Sequence, residues 1–302
     1  MRIPLIVGPT AVGKSEIAVE LAELLGGEVV SADARAVYHD LEVGTAKPPP
    51  ELRARVPHHL LDFVPWWERY DAVRFRRDCE RVVREILARD RVPVIVGGST
   101  LYVRALTVGL FEGPGASPEI RAELASRPLA KLYAELSRVD PAAAARIRPT
   151  DRVRIIRALE VYYLTGTPIS RFWGREKPFP WPLLVVGITM ERAELYRRIA
   201  ARVEEMISRG LLDEARMLFR TKLPADVPIL RTIGYEELFD HLRGELPLEA
   251  AVRKIVANTK AYARRQLVWF RREPGIRWID RTGKSPEEVA HGIRALWEDP
   301  SP

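Results

Sequence analysis

The first group of residues that could do chemistry is a glycine-rich loop close to the start of the chain. Residues 8–15 read Gly-Pro-Thr-Ala-Val-Gly-Lys-Ser and match G-x4-G-K-[ST] at every fixed position. An apolar run from Ile3 to Val7 precedes the loop, and apolar residues at helical spacing follow from Lys14 to Leu25. This strand–loop–helix context is typical of phosphate binding. We predict that backbone N–H groups cradle a phosphate, that Lys14 neutralises its oxygens and that Ser15 ligates Mg²⁺.

The loop alone does not identify the phosphate that it holds. Motor ATPases and GTPases normally carry a second apolar strand that ends in an Asp for Mg²⁺. Here the best candidate strand, Val92 to Val96, ends in Gly97-Gly98-Ser99-Thr100, and no Asn-Lys-x-Asp guanine signature is present. The sequence therefore favours a group-transfer enzyme with a diphosphate-bearing substrate over a nucleotide-driven switch.

A second candidate for chemistry is Asp33, which follows the predicted strand Glu28 to Ser31. Ligands of open α/β sheets bind outside the carboxyl ends of the strands, so Asp33 is expected in the same crevice as Lys14. There it could be a Mg²⁺ ligand or a general base. The alternative is a helix N-cap, but the loop from residue 34 to 47 is long for a simple cap and turn. That loop carries a polar set suited to gripping a substrate: Arg35, Tyr38, Thr45 and Lys47. For His58 and His59 we predict a structural role.

The elements that must position these residues follow from hydrophobic spacing. Uninterrupted apolar strands alternate with helices over the first 110 residues, which predicts an α/β fold with a P-loop NTPase-like parallel sheet flanked by helices. Helical signals without a strand dominate residues 111–182, which we interpret as a helical insertion; residues 1–110 and 183–302 form the core. The predicted strands are 3–7, 28–31, 58–64, 92–96, 183–189 and 275–279, the last followed by a polar tail; the predicted helices are 14–25, 70–89, 117–126, 129–139, 152–165, 192–209, 211–220 and 248–269.

Composition and charge exclude several classes of protein. With 302 residues, 47% hydrophobic and 29% charged, the chain is neither disordered nor collagen-like. No apolar run approaches the roughly 18 residues that span a bilayer, so we expect no membrane contact. The single cysteine, Cys79, excludes an internal disulfide and indicates a reducing cytoplasm. The formal net charge of +7 favours a polyanionic partner, although Arg-rich compositional drift explains it equally well.

Basic residues cluster in two places. Between Arg253 and Arg277 there are eight basic residues and one acid, Glu273, with Tyr262 and Trp269 interleaved. A second cluster lies in the insertion: Arg121, Arg152, Arg154 and Arg157. Such stripes suit the phosphates of a folded RNA, but the usual alternative is a solvated helix face, and charge alone leaves both open.

Further motifs, in one order along the chain, resemble those of the tRNA dimethylallyltransferases (tRNA isopentenyltransferases). They span residues 8 to about 271 and include Gly44-Thr45-Ala46-Lys47-Pro48, Pro57-His58-His59-Leu60-Leu61-Asp62, Gly97-Gly98-Ser99, Ile233-Gly234-Tyr235-Glu236 and Arg264-Arg265-Gln266. Two differences stand out. Asp33-Ala34-Arg35-Ala36 replaces a common Asp-Ser-x-Gln, so two polar side chains that could read the anticodon loop are missing. Ser99 replaces the usual Thr and keeps the hydroxyl.

The resemblance implies transfer of a dimethylallyl group from dimethylallyl diphosphate to N6 of the adenosine just 3′ of the anticodon (position 37), with Mg²⁺ and the tRNA anticodon stem-loop as partners. Asp33 would accept the N6 proton, Ser99 would contact the base or the diphosphate, and the base would leave its stack to reach them. The implied diphosphate-binding residues are Gly8, Pro9, Thr10, Ala11, Val12, Gly13, Lys14, Ser15 and Arg202. The implied tRNA-binding residues are Asp33, Ala34, Arg35, Ala36, Ser99, Arg121, Val153, Arg154, Ile155, Ile156, Arg157, Lys260, Arg264, Arg265 and Arg271.

Two other functions remain compatible with the residues themselves. A P-loop small-molecule kinase would transfer phosphate from ATP without RNA. A nucleotide-dependent RNA-binding module would have no chemistry of its own. For the function that the resemblance implies, we expect a cytoplasmic monomer.

Overall fold

A computed structural model describes residues 1–111, 113–221 and 227–299 of the chain. The chain folds into two compact units. The first consists of Met1–Thr107 together with the residues from Phe179 onward, and the second consists of Val108–Pro178. The sequence placed the corresponding boundaries at residues 110 and 183.

The first unit is built on one six-stranded sheet in which all strands run parallel, as the sequence predicted. Its strands are β1 (Ile3–Val7), β2 (Glu28–Ser31), β3 (His58–His59), β4 (Pro93–Gly97), β5 (Leu183–Thr189) and β6 (Arg277–Asp280). The order across the sheet is β3-β2-β4-β1-β5-β6. The segments that follow β1, β2 and β4 therefore start side by side at one edge. These segments carry the phosphate loop, Asp33 and Ser99.

Two strands differ from the prediction for reasons of backbone conformation. The third was predicted over 58–64, but Leu60 and Asp62 adopt left-handed φ angles of 56° and 58°, which an extended strand does not allow, so β3 ends at His59. The last was predicted from Gly275, whose φ is 80°, and β6 begins two residues later.

The first four helices are α1 (Lys14–Leu25), α2 (Pro50–Arg53), α3 (Ala72–Leu87) and α4 (Thr100–Thr107). The predicted face of α1 is confirmed, because Ile17, Ala18 and Leu21 are buried against the sheet. The helix predicted over 70–89 is shorter. The Asp71 side chain accepts hydrogen bonds from the amides of Val73 and Arg74, and this cap fixes the start of α3 at Ala72.

The second unit contains α5 (Pro118–Ser126), α6 (Leu129–Val139), α7 (Pro141–Arg146) and α8 (Arg152–Thr165). Three of these helices were predicted. Helix α7 was not predicted, although Asp140 as N-cap and Pro141 at the first position are a recognisable start signal. Leucines, alanines and one isoleucine form the core of this unit: Leu124, Leu132, Leu136, Ala143, Ala144, Ile155, Ala158 and Leu159.

The chain then returns to the first unit with α9 (Arg192–Ser208), α10 (Leu211–Arg220), α11 (Tyr235–Leu242), α12 (Leu248–Phe270) and α13 (Pro286–Glu298). The polar tail predicted after the last strand was wrong. Ser285 and Glu288 form a capping box, and Val289, Ala290 and Ile293 are buried in the same core as α1. None of the helices described here is long and apolar enough to cross a lipid bilayer.

Candidate active site

The phosphate loop connects β1 to α1 in a conformation that requires glycine at both ends. Gly8 has a φ of 152°, and a Cβ there would lie 2.6 Å from the Ile188 carbonyl oxygen of the neighbouring strand. Gly13 has a φ of 85°, and a Cβ there would overlap Arg281 Nη1 at 1.3 Å. The backbone N–H groups at the start of α1 remain free of side-chain caps, which is the arrangement that binds an anion.

Lys14, the first residue of α1, bends back over the loop. Its Nζ donates a hydrogen bond of 2.6 Å to the Pro9 carbonyl oxygen. Burial lowers the pKa of Lys14 to about 7; the Asp33 carboxylate opposes this shift and the Arg202 cation adds to it. Burial disfavours the charged form of this lysine, and an anionic ligand beside it would stabilise that form.

Two residues outside the predicted site hold the loop in place. Gln266, a buried residue of α12, accepts a hydrogen bond from the Thr10 amide (2.9 Å) and donates one to the Gly98 carbonyl (2.8 Å). Arg281, buried at the end of β6, donates to the Val12 carbonyl (2.6 Å). The available signal for Gln266 was its place in the Arg-Arg-Gln motif, where only the cations had been assigned a role; Arg281 gave no signal.

Asp33 and Ser99 lie on neighbouring strand ends. Asp33 Oδ1 accepts hydrogen bonds from the amides of Arg35 (2.7 Å) and Ala36 (3.2 Å). Within the described residues Oδ2 accepts none. Ser99 Oγ accepts the amide of Ala34 (2.9 Å), which leaves its own hydrogen available to donate. The strand ends approach closely, since a Cβ on Gly97 would lie 2.1 Å from the Ala32 carbonyl oxygen.

Arg202 supplies a second cation. It lies on α9, and its guanidinium donates to the Ala46 carbonyl oxygen (3.2 Å). Burial lowers the pKa of Arg202, and the nearby carboxylates, Asp33 first among them, oppose this shift. Asp33 therefore lies within electrostatic range of both cations, and three residues predicted from different parts of the sequence come close together.

An aromatic residue of α12 borders the same crevice. Burial raises the pKa of Tyr262 to about 12, the Asp33 charge adds to this shift, and Arg35 and Arg265 oppose it. The Arg265 guanidinium lies over the Tyr262 ring at 5.9 Å. The charges of Asp33 and Arg35, on the loop after β2, therefore reach Tyr262 in the second half of α12.

Of the four polar residues predicted to bind a substrate on the loop after β2, all but Arg35 are buried. The prediction was therefore wrong for three of the four. Tyr38 is fully buried, Thr45 donates to the Leu41 carbonyl, and the buried Lys47 forms ion pairs with Glu42 and Asp62. The polar contacts of Thr45 and Lys47 stabilise the loop itself. A polar loop residue gives no sign in sequence of which way it faces.

Both histidines of β3 have the structural role that was predicted. The His59 Nε2 atom lies 2.6 Å from a carboxylate oxygen of the buried Glu28, which also pairs with Arg89. The Nδ1 atom of His58 contacts the Val56 carbonyl at 2.8 Å, and burial lowers the pKa of His58.

A row of cations, which we call the α12 basic stripe, consists of Lys260, Arg264, Arg265 and Arg271. The three arginines are exposed, and Lys260 lies over the Tyr196 ring at 5.4 Å. None of the four forms an ion pair with another residue that the structure describes. Their charge is therefore available to an external polyanion.

Two arginines of the second unit that were predicted to bind tRNA form ion pairs inside the unit, unlike those of the α12 basic stripe. Glu160 is fully buried and accepts Arg121 Nε at 2.7 Å and Arg157 Nη1 at 2.6 Å. Arg157 also donates to the Pro114 carbonyl oxygen (2.8 Å), so both arginines anchor the unit internally. Arg154 stays largely exposed, and among the described residues it forms an ion pair only with Asp151, at 3.4 Å.

The apolar residues predicted to contact tRNA in this unit do not all reach its surface. Val153 is 79% exposed and Ile156 is half-buried. Ile155 is completely buried in the core of the unit, because it lies on the inner face of α8, so its side chain cannot contact RNA in this structure.

Comparison with known proteins places this site in a family. The IPP transferase family model matches residues 36–273, and the isopentenyl transferase model matches residues 1–56. A tRNA dimethylallyltransferase of Anaeromyxobacter dehalogenans is 49% identical over 303 residues, covering 97% of this chain and 99% of the relative. One from Geobacter sulfurreducens is 46% identical over 285 residues, covering 92% of each.

Solved structures similar to this chain point to the same family. The tRNA isopentenylpyrophosphate transferase of Bacillus halodurans superposes with a TM-score of 0.74 at 38% identity, covering 98% of this chain and 95% of that one. A eukaryotic dimethylallyltransferase acting on tRNA gives 0.83 at 28% identity, covering 98% and 77%. The chain belongs to the tRNA dimethylallyltransferase family.

Proposed function

We propose that the chain transfers a dimethylallyl group from dimethylallyl diphosphate to N6 of the adenosine on the 3′ side of the anticodon, giving N6-(dimethylallyl)adenosine in tRNA. The observation that carries this assignment is the meeting of a phosphate loop, two partly buried cations and a carboxylate at adjacent strand ends. In a chain of this family, this arrangement supports a reaction that needs a leaving group beside a proton acceptor.

The cationic side of the crevice binds the donor. The diphosphate lies on the amides of residues 8–15 and is neutralised by Lys14 and Arg202. When the C1–O bond breaks, its electron pair moves onto the diphosphate, and these groups stabilise the charge that develops there. Because they are already oriented by Pro9 and Ala46, little reorganisation accompanies the step.

Asp33 serves the acceptor. The N6 atom of adenine forms the new bond to C1, and its proton passes to Asp33 Oδ2. The two amides that bind Oδ1 fix the carboxylate and leave Oδ2 to face the base. Ser99 donates its hydroxyl hydrogen to the base or to the diphosphate.

The residues present fit Mg²⁺ as a cofactor. Among the described residues no cluster of three His, Cys, Asp or Glu side chains could enclose a metal. Mg²⁺ is commonly bound by one or two protein oxygens together with substrate phosphates, and the Ser15 hydroxyl, at the start of α1, offers such an oxygen. When bound, the ion would supply further neutralisation of the departing diphosphate.

The tRNA anticodon stem-loop contacts the α12 basic stripe and Arg35 of the first unit. In the second unit, the exposed Val153 and Arg154 of α8 are the candidates for RNA contact. The target base leaves its stack to reach Asp33, as enzymes acting on a base require. We propose that the chain acts as a monomer in the cytoplasm, where its tRNA substrate is found.

The test is incubation of the purified chain with labelled dimethylallyl diphosphate, Mg²⁺ and unmodified tRNA, followed by nucleoside analysis. We expect label in N6-(dimethylallyl)adenosine at the position next to the anticodon, and no label when Mg²⁺ is chelated. Unlabelled tRNA, or phosphate transfer from ATP to a small molecule, would contradict the proposal.

A further inference from the structure

We infer that Glu214 of α10 is a positioning residue for Arg202, an inference that rests on the proposed diphosphate-binding role of that arginine. Glu214 is not among the site residues predicted from the sequence, because it belongs to none of the recognised motifs. The hydrogen bonds around it form a continuous path to the Arg202 guanidinium.

The Glu214 carboxylate binds three consecutive backbone amides. Oε1 accepts the N–H groups of Glu42 and Val43, both at 2.8 Å, and Oε2 accepts that of Gly44 at 2.9 Å. No cation forms an ion pair with Glu214 in the described part of the chain. A half-buried carboxylate that is satisfied by backbone dipoles fixes the backbone far more firmly than a surface ion pair would.

The segment held in this way leads directly to Arg202. The Val43 carbonyl accepts the Ala46 amide (3.0 Å), and the Ala46 carbonyl accepts Arg202 Nη2 (3.2 Å). Ala46 itself has a left-handed φ of 54°, a conformation that a non-glycine residue keeps only when its surroundings impose it. Loss of the Glu214 contacts would release Ala46 and free the guanidinium.

The Glu214 carboxylate also accepts a fourth hydrogen bond, which comes from a side chain in another motif of the sequence. The Tyr235 hydroxyl donates to Glu214 Oε2 (2.8 Å), and its fully buried ring packs so closely on Gly44 that a Cβ there would lie 2.3 Å from it. The Gly-Thr-Ala-Lys and Ile-Gly-Tyr-Glu motifs therefore meet at Glu214. Their link to the reaction runs through the placement of Arg202.

A double-mutant cycle on the full-length chain tests this inference. We would measure the Kd of magnesium pyrophosphate by calorimetry for the parent, Glu214→Ala, Arg202→Ala and the double variant. Glu214→Ala should weaken binding about tenfold, the loss typical of a hydrogen bond to a charged group. The double variant should bind no more weakly than Arg202→Ala alone, because residues that act through one another are not additive.

Controls separate positioning from general damage. Asp213→Asn removes a neighbouring exposed charge whose partner is Arg216 of the same helix, and it should leave the Kd unchanged. Glu214→Gln keeps the size of the side chain, and in it hydrogen exchange at the amides of residues 42–44 should accelerate while α1 stays protected. This second variant gives a readout if Glu214→Ala does not fold.

Three results would overturn the inference: parent-like pyrophosphate affinity in both Glu214 variants, slow exchange at 42–44 in Glu214→Gln, or strictly additive losses in the cycle. A parent that does not bind pyrophosphate, with Lys14→Ala indistinguishable from it, would overturn the proposed function as well. Additive losses in a parent that does bind would remove only the role of Glu214.

Discussion

Two cationic regions of the first unit differ in how their charges are held. Lys14 and Arg202 are half-buried, hydrogen-bonded to backbone carbonyls and close to Asp33, and burial lowers the pKa of each. The arginines of the α12 basic stripe are exposed, and no described acidic residue forms an ion pair with them. Desolvated cations act strongly at short range on charge that develops in a reaction. Exposed cations act through counterion release and are weakened by salt.

The largest effect should come from the carboxylate between these regions. In Asp33→Asn the side chain keeps its size and one amide-accepting oxygen but loses the base. We expect single-turnover prenylation to fall by about 10²–10⁴-fold, the usual contribution of a general base. Pyrophosphate and tRNA affinities should remain near those of the parent. A variant that keeps its rate would contradict the role of Asp33.

The next effect should be confined to the donor. Lys14→Ala should lower kcat/KM for dimethylallyl diphosphate by about 10²–10³-fold, because it removes a cation directed at the leaving group. The KM for tRNA should not change. Steady-state kinetics with each substrate varied in turn measures both values. A rise in the KM for tRNA as large as the rise in the KM for the donor would contradict the distinction between the two regions.

The lowered pKa of Lys14 predicts how donor binding depends on pH. Only the ammonium form binds a diphosphate, and in the free protein its proton is lost as the pH rises through about 7. Donor affinity should therefore fall between about pH 7.5 and 9, by up to about tenfold per unit. Lys14→Arg keeps its charge throughout this range and should show a flat profile. A parent profile as flat as that of Lys14→Arg would count against burial of the Lys14 charge.

The α12 basic stripe should give a smaller effect that depends on salt. Arg265→Ala and Arg271→Ala should each weaken tRNA binding severalfold at low salt and reduce the slope of log K against log salt by about 1. Pyrophosphate binding should be unaffected. Filter binding over a salt series measures the slope, and an unchanged slope would show that these arginines do not contact phosphates.

The smallest effect on activity is expected from the arginines that anchor the second unit. Their replacement should appear in the free energy of unfolding. Arg121→Ala leaves the buried Glu160 with one partner fewer and should lower the free energy of unfolding by about 1–3 kcal/mol. Arg154→Ala, at an exposed position of the same unit, should change it by less than about 0.5 kcal/mol. Urea unfolding compares the two, and equal losses would contradict the internal role of Arg121.

The parts of the site that lie next to each other in sequence were predictable. The phosphate loop, Asp33 and the strand ends that carry them follow from local patterns of glycine and apolar residues. Contacts between distant segments were not. Gln266 and Arg281 brace the loop from 256 and 269 residues away, and nothing in their local sequence shows that they are buried.

The direction in which a polar side chain faces was equally hidden. Lys47 and Arg121 were grouped with substrate-binding residues, but their partners are buried or loop carboxylates that only the folded chain brings near. By contrast, α13 could have been found, because Ser285, Pro286 and Glu288 are ordinary start signals of a helix.

The most direct measurement is a crystal structure of the chain with Mg²⁺, pyrophosphate and an unmodified tRNA anticodon stem-loop. We expect pyrophosphate on the amides of residues 8–15 with Lys14 and Arg202 as partners, and an unstacked adenine whose N6 lies about 2.6–3.2 Å from Asp33. An adenine still stacked in its loop, or pyrophosphate bound away from residues 8–15, would contradict this expectation.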